Sequence, residues 1–155
     1  MSGPHKLSSI EVDAATLPAA TAEIEHQRRV AIFDLIEQNS FTPEGAEGGP
    51  YALRLSSQDN RLAFDISGPD FSRTHVLSLS PMKTVIRDYA LICESYYEAL
   101  RGSSPSQIES VDMGRRGLHN EGAELLKARL DGKIAIDHET ARRLFTLVTA
   151  LYRRG

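Results

Sequence analysis

The sequence predicts an α+β protein: a small antiparallel β-meander of three to four strands packed against three to four helices. Two observations carry this. Apolar residues recur with period two between positions 51 and 80, and at helical spacing on both sides of that stretch. A third bounds the size. A chain of 155 residues with 41% hydrophobic and 25% charged side chains has the composition and length of one globular domain, here taken as 1–155.

Taken in order, residues 1–17 read as loosely ordered, save that Lys6–Val12 fits a short edge strand. A helix follows from about Ala19 to Gln38. Ile24, Ala31 and Leu35 form its apolar stripe, widened by Phe33 and Ile36, with Glu23 and Glu25 near its positive end. Residues 44–50, rich in glycine, form a loop. Tyr51, Leu53 and Leu55 then alternate with polar or small residues. Leu62, Phe64 and Ile66 repeat the pattern after the turn Ser57-Gln58-Asp59-Asn60. Beyond Gly68-Pro69-Asp70, His75, Leu77 and Leu79 make a third strand.

Ser80-Pro81 opens the next helix as N-cap and first helical residue. Val85, Tyr89, Ile92 and Tyr96 lie beside a second stripe of Ile86, Cys93, Tyr97 and Leu100. An apolar surface that wide predicts a helix buried around much of its circumference. Gly102 ends it. Ser104-Pro105-Ser106-Gln107 carries a capping box, and Gly132 closes the region it starts. Asp137 caps a last helix whose stripe is Ala141, Leu144, Phe145, Val148, Leu151 and Tyr152. Arg142, Arg143, Arg153 and Arg154 stand on its wet side. The expected core holds Ile24, Leu35, Leu53, Phe64, Leu77, Ile92, Leu125, Leu144 and Val148.

Several function classes lose support at once. No apolar run is long enough to span a membrane. The opening Met1-Ser2-Gly3-Pro4-His5-Lys6 lacks the basic and apolar parts of a secretory signal. Cys93 is the single cysteine, which excludes an internal disulfide and a multi-cysteine zinc site and points to the cytoplasm. The five histidines lack the HExxH spacing, and no metal site is expected. A pI near 5.9 argues against a duplex-DNA binder. Residues 1–100 carry a net charge of −6 and residues 101–155 of +3, which points an anionic partner to the C-terminal part.

One stretch stands out, Asp112-Met113-Gly114-Arg115-Arg116-Gly117-Leu118-His119-Asn120-Glu121-Gly122. In one reading the chain breaks at Gly114–Gly117. Arg115 and Arg116 then offer planar forks to a phosphate or carboxylate, and a helix restarting near Leu118 aims free N–H groups at it. In the other, one helix runs from about 105 to 130 and the glycines admit close packing. Three glycines inside a helix cost about 3 kcal/mol against alanine, so close packing or ligand access must offset them. The stretch lacks the Lys-Ser/Thr ending of a Walker loop and the glycine spacing of a dinucleotide fingerprint, and no cofactor is expected.

The leading functional expectation is a non-catalytic binding or regulatory module. It recognises an anionic group with Arg115 and Arg116, while His119 and Asn120 add hydrogen bonds. A second is a small enzyme on a phosphorylated substrate, with His119 exchanging a proton with Glu121 or Asp112. A third is an interaction protein or homodimer joined through an exposed apolar face of the last helix. His26, His75 and His138 read as surface or structural histidines, and Cys93 as an inert thiol in an apolar stripe.

The Gly-Arg-Arg-Gly-Leu-His-Asn-Glu-Gly string, with Leu79-Ser80-Pro81, Asp88-Tyr89, Ile92–Tyr97 and Thr140–Leu147, resembles Uncharacterised Protein Family 262, a family of small bacterial proteins. The resemblance covers nearly the whole chain. It implies a bacterial protein and brings no reaction, cofactor or catalytic residue.

Overall fold

A computed structural model describes residues 3–153. The six strands are β1 (Leu7–Val12), β2 (Phe41–Pro43), β3 (Tyr51–Gln58), β4 (Arg61–Gly68), β5 (Phe71–Ser78) and β6 (Ile134–Ile136). The four helices are α1 (Ala22–Glu37), α2 (Lys83–Gly102), α3 (Pro105–Leu130) and α4 (His138–Tyr152). The α+β class and the three-stranded meander are therefore as the periodicity predicts.

The meander β3–β4–β5 is antiparallel, with Leu55 opposite Phe64 and Phe64 opposite His75. Its first turn holds Asp59 and Asn60 at φ of 50° and 63°, the left-handed pair that a two-residue hairpin needs. Tyr51, Leu53, Leu55, Leu62, Phe64 and Ile66 are fully buried on one face, under the helices. The edge strand expected at 6–12 is present as β1, and it changes the sheet type. It pairs parallel to β3, so the order β1-β3-β4-β5 is mixed rather than purely antiparallel. A parallel neighbour needs a long crossover, and α1 supplies it. The amide of Leu7 is bound by Asn39 Oδ1 at 2.7 Å, and Ser57 N donates to Thr16 Oγ1 at 2.9 Å.

A two-stranded sheet of β2 and β6 escapes sequence reading, because three residues each are too few to show a period. Phe41, Ile134 and Ile136 are nevertheless buried and belong to the core.

Helix ends follow the sequence signals with one exception. Ser104 and Gln107 close the capping box reciprocally, and Asp137 Oδ1 accepts from Thr140 N at 2.8 Å. Gly132, at φ 80°, makes the left-handed turn after α3. The exception is Ser80-Pro81. They form a 3-10 turn, and α2 begins only at Lys83.

Core expectations hold for Ile24, Leu35, Leu53, Phe64, Leu77, Leu144 and Val148. Ile92 and Leu125 are only partly buried, and Leu126, one residue on, takes the core position expected of Leu125. Phe33 does not widen the buried stripe of α1. It is 65% exposed. The larger correction concerns α2, which is not buried around its circumference. Only Val85 and Ala99 are buried, while Leu91, Tyr97 and Leu100 are more than half exposed. The helix leans on α3 with one side; of its second apolar stripe Ile86 and Cys93 are half-buried, while Tyr97 and Leu100 stay open. The last helix behaves oppositely. Leu144, Phe145, Leu147, Val148 and Leu151 are all buried, so the exposed apolar face expected there is absent. Arg154 lies outside the described residues.

Candidate functional site

The glycine-rich stretch lies inside α3, an unbroken helix of 26 residues. The break at Gly114–Gly117, with its free N–H groups near Leu118, does not exist, and the backbone cradle goes with it. Packing explains one of the three glycines outright. A Cβ on Gly122 would overlap the ring of Phe145 from α4, whereas one on Gly114 would meet only the far end of the half-buried Ile92 side chain of α2, with Cδ1 at 2.7 Å, which can turn aside. Gly117 faces open space.

The four residues singled out by sequence do lie close together, because residues three and four apart share a helix face. Each already has a partner. Arg115 donates to Asp112 Oδ1 from Nε at 3.1 Å and from Nη2 at 2.6 Å. Arg116 Nη2 donates to the other carboxylate oxygen at 2.6 Å. The Arg115 guanidinium also stands 4.7 Å above the Tyr96 ring, a cation–π contact that ties α3 to α2. The Arg115 hydrogen bond, with Arg116 assisting, holds the Asp112 carboxyl below the usual carboxylate range. Asn120 Oδ1 accepts from Arg142 Nη1 at 2.6 Å.

His119 Nε2 lies 2.8 Å from Thr146 Oγ1, and its ring forms a mutually packed trio with Tyr89 and Phe145. Burial, then the charges of Arg142 and Arg115, push its pKa down to about 4. Burial pushes the Tyr89 hydroxyl up to about 12, and raises the half-buried Cys93 thiol as well. His138 is exposed in the first turn of α4. His75 is half-buried on β5, and burial followed by Arg73 and Lys133 lowers its pKa. Among the described residues no group of three His, Cys, Asp or Glu side chains is placed to hold a metal ion.

Among the described residues, one groove of about 270 Å³ lies between α1 and α2. Val30, Ala31 and Asp34 form one wall, and Tyr89, Cys93 and Tyr97 the other. Thr146, Thr149 and Ala150 of α4 make the floor, and His26, Gln27 and Arg153 close one end. A neighbouring hollow of about 550 Å³ shares Ala90, Thr149 and Arg153, and extends the depression along α2 to Lys83 and Arg87. Sequence reading missed the groove but held its signal. The stripe Ile86, Cys93, Tyr97 and Leu100 is wider than α2 needs for the core.

Fold and groove together define a small α+β protein with a mixed sheet under four helices and an open helical face. The model of the family described as Uncharacterised protein family (UPF0262) matches residues 4–154, and the chain belongs to that family. It is 58% identical over 151 residues to a UPF0262 protein of Phenylobacterium zucineum, covering 97% of this chain and 95% of the relative. A UPF0262 protein of Caulobacter vibrioides is 59% identical over the same length and shares. One of Rhizobium etli is 55% identical over 155 residues, covering 99% and 98%. No solved structure matches the chain. Among the described residues no helix is long and apolar enough to cross a membrane.

Proposed function

We propose that this protein is a non-catalytic binding module that holds its partner in the groove between α1 and α2. The supporting observation is a depression with exposed apolar walls. Val30 and Tyr97 line it at 44% and 54% exposure, and Phe33 and Leu100 are exposed apolar residues three positions further along the same two helices. Exposed apolar residues gathered at a depression are a common mark of an interaction site. A channel between two helices suits a helix or extended segment with an apolar side. A photo-crosslinking amino acid at position 97, compared with one at exposed position 54 on the sheet, tests the reading in living bacterial cells. Adducts from position 97 alone are expected. No adduct, or equal adducts from both positions, overturns it.

One observation favours a second reading, an acidic or phosphate-bearing partner at Arg115 and Arg116. Two guanidiniums share the single carboxylate of Asp112, and Arg116 keeps most of its donors in water. Inorganic polyphosphate is the probe. This reading expects binding that Arg115→Ala with Arg116→Ala abolishes, and polyphosphate that fails to bind the unaltered protein overturns it.

A further inference from the structure

We propose that the hollow beside the groove is a second binding site, which takes a small organic anion: a carboxylate or phosphate carried on an apolar body. Its walls come from four separate segments. These are Pro18 ahead of α1, Asn60 in the hairpin turn, the face of α2 from Lys83 to Glu94, and the end of α4 with Thr149, Tyr152 and Arg153. Walls drawn from so many directions bound a compact hollow and not a channel. Its volume of about 550 Å³ falls among the roughly 300–1,000 Å³ of small-molecule sites.

The lining divides by chemistry. Leu79, Ile86 and Ala90 give it an apolar surface, and its charged residues are Lys83, Arg87, Arg153 and Glu94. Three bases against one acid is a local excess in a chain whose net charge is −3. Lys83 and Arg87 stand four residues apart and share a helix face. Glu94 lies seven residues beyond Arg87, about 10 Å further along the helix. The Lys83–Arg87 end of the hollow therefore has no acid in its lining. Arg87 Nε is 3.5 Å from Asp88 Oδ1, outside the lining, and these side chains are 69% and 42% exposed. Water screens a pair of that kind and leaves the positive charge available. At the junction with the groove, Arg153 Nη1 donates to Gln27 Oε1 at 3.1 Å, a neutral partner that holds the guanidinium without cancelling its charge. A neutral apolar ligand leaves Lys83 and Arg87 without a counter-charge. A bare anion leaves Ile86 and Ala90 uncovered. An anion on an apolar body answers both, with its charged head between Lys83 and Arg87 and its body over Ile86 and Ala90.

Isothermal titration of the full chain at low salt tests this with octyl phosphate, octanoate, inorganic phosphate and octyltrimethylammonium. At least one of the two octyl anions is expected to bind, and the tighter of them names the head group. Inorganic phosphate and the octyl cation are expected to bind at least roughly tenfold more weakly. Lys83→Glu with Arg87→Glu is expected to weaken the octyl anion by roughly tenfold or more. Both positions are exposed and lie in the opening turns of α2, where acids suit the helix dipole, so the melting transition is expected to hold or rise. Ala90→Leu, which fills the apolar part, is expected to weaken the same anion with the bases intact. Failure of both octyl anions to bind overturns the proposal, as does binding that survives the double charge reversal. Equal binding of inorganic phosphate leaves only a charged patch, and equal binding of the octyl cation only an apolar one; either result overturns it. Tyr97 lines the groove and not the hollow, so the crosslinking experiment on the groove succeeds or fails independently of these outcomes.

Discussion

Gly117 and Gly122 stand five residues apart on one helix, and alanine acts oppositely at the two. At Gly117 an added methyl meets nothing, so Gly117→Ala is expected to stabilise the protein by about 1 kcal/mol, the ordinary helix propensity difference. At Gly122 the methyl needs the space of the Phe145 ring, and Gly122→Ala is expected to cost about 1–3 kcal/mol through overpacking. Urea unfolding of the two variants checks both signs, and a neutral Gly122→Ala would remove the packing explanation. The same scale explains why the arginines were legible and their role was not. Arg115 and Arg116 are visible in the string, and so is Asp112. Only the helical phase shows that one carboxylate sits three and four residues before them and takes both.

Between elements, one buried side chain fixes how α1 meets α4. Arg28 is 6% exposed, although nothing in the run Glu25-His26-Gln27-Arg28-Arg29 sets it apart from its neighbours. Its Nε donates to the carbonyl of Ala150 at 3.1 Å and its Nη2 to that of Leu151 at 2.9 Å. The last carbonyls of a helix lack intrahelical partners and carry negative partial charge, so a guanidinium there serves as a cap from a neighbouring helix. Arg28→Met is expected to leave these carbonyls buried and unpaired, at a cost of about 2–4 kcal/mol. Thermal unfolding measures it, and a loss no larger than that of exposed Arg29→Met would refute the capping role. The local cap of α3 is simpler. Ser104→Ala removes one half of a capping box and is expected to cost about 1 kcal/mol.

For the molecule as a whole, linkage decides how stability responds to acid. A histidine with a folded pKa below its ordinary value favours folding only while it stays neutral. Burial holds His119 at about 4 against 6.5 for a free histidine, and lowers His75 in the same direction. As pH falls through 6.5, the unfolded chain binds protons that folded His119 does not accept until about 4. Stability is therefore expected to be full above this window and to decline within it. Asp112 and Asp137 have lowered pKa values, so their contributions persist to lower pH and are lost below the ordinary carboxylate range. Melting temperature against pH, compared with His119→Gln, checks the assignment. The variant is expected to decline less between 6.5 and 4, and an unchanged curve would place the acid response elsewhere.

Period-two alternation from Tyr51 to Leu77, the helical stripes, and the caps at Ser104 and Asp137 determined the α+β class, the meander and most element positions. These are local signals, since a strand or helix must keep one face dry whatever covers it. The parallel pairing of β1 and the β2–β6 ladder joins residues about 40 and 90 positions apart, and no local pattern encodes such a distance. The continuity of α3 was likewise settled by contacts from outside the helix, where the Phe145 ring fills the space beside Gly122. So was the groove. Apolar residues on α2 are explicit in the sequence, but which of them the core covers and which stay open depends on where α1, α3 and α4 come to rest.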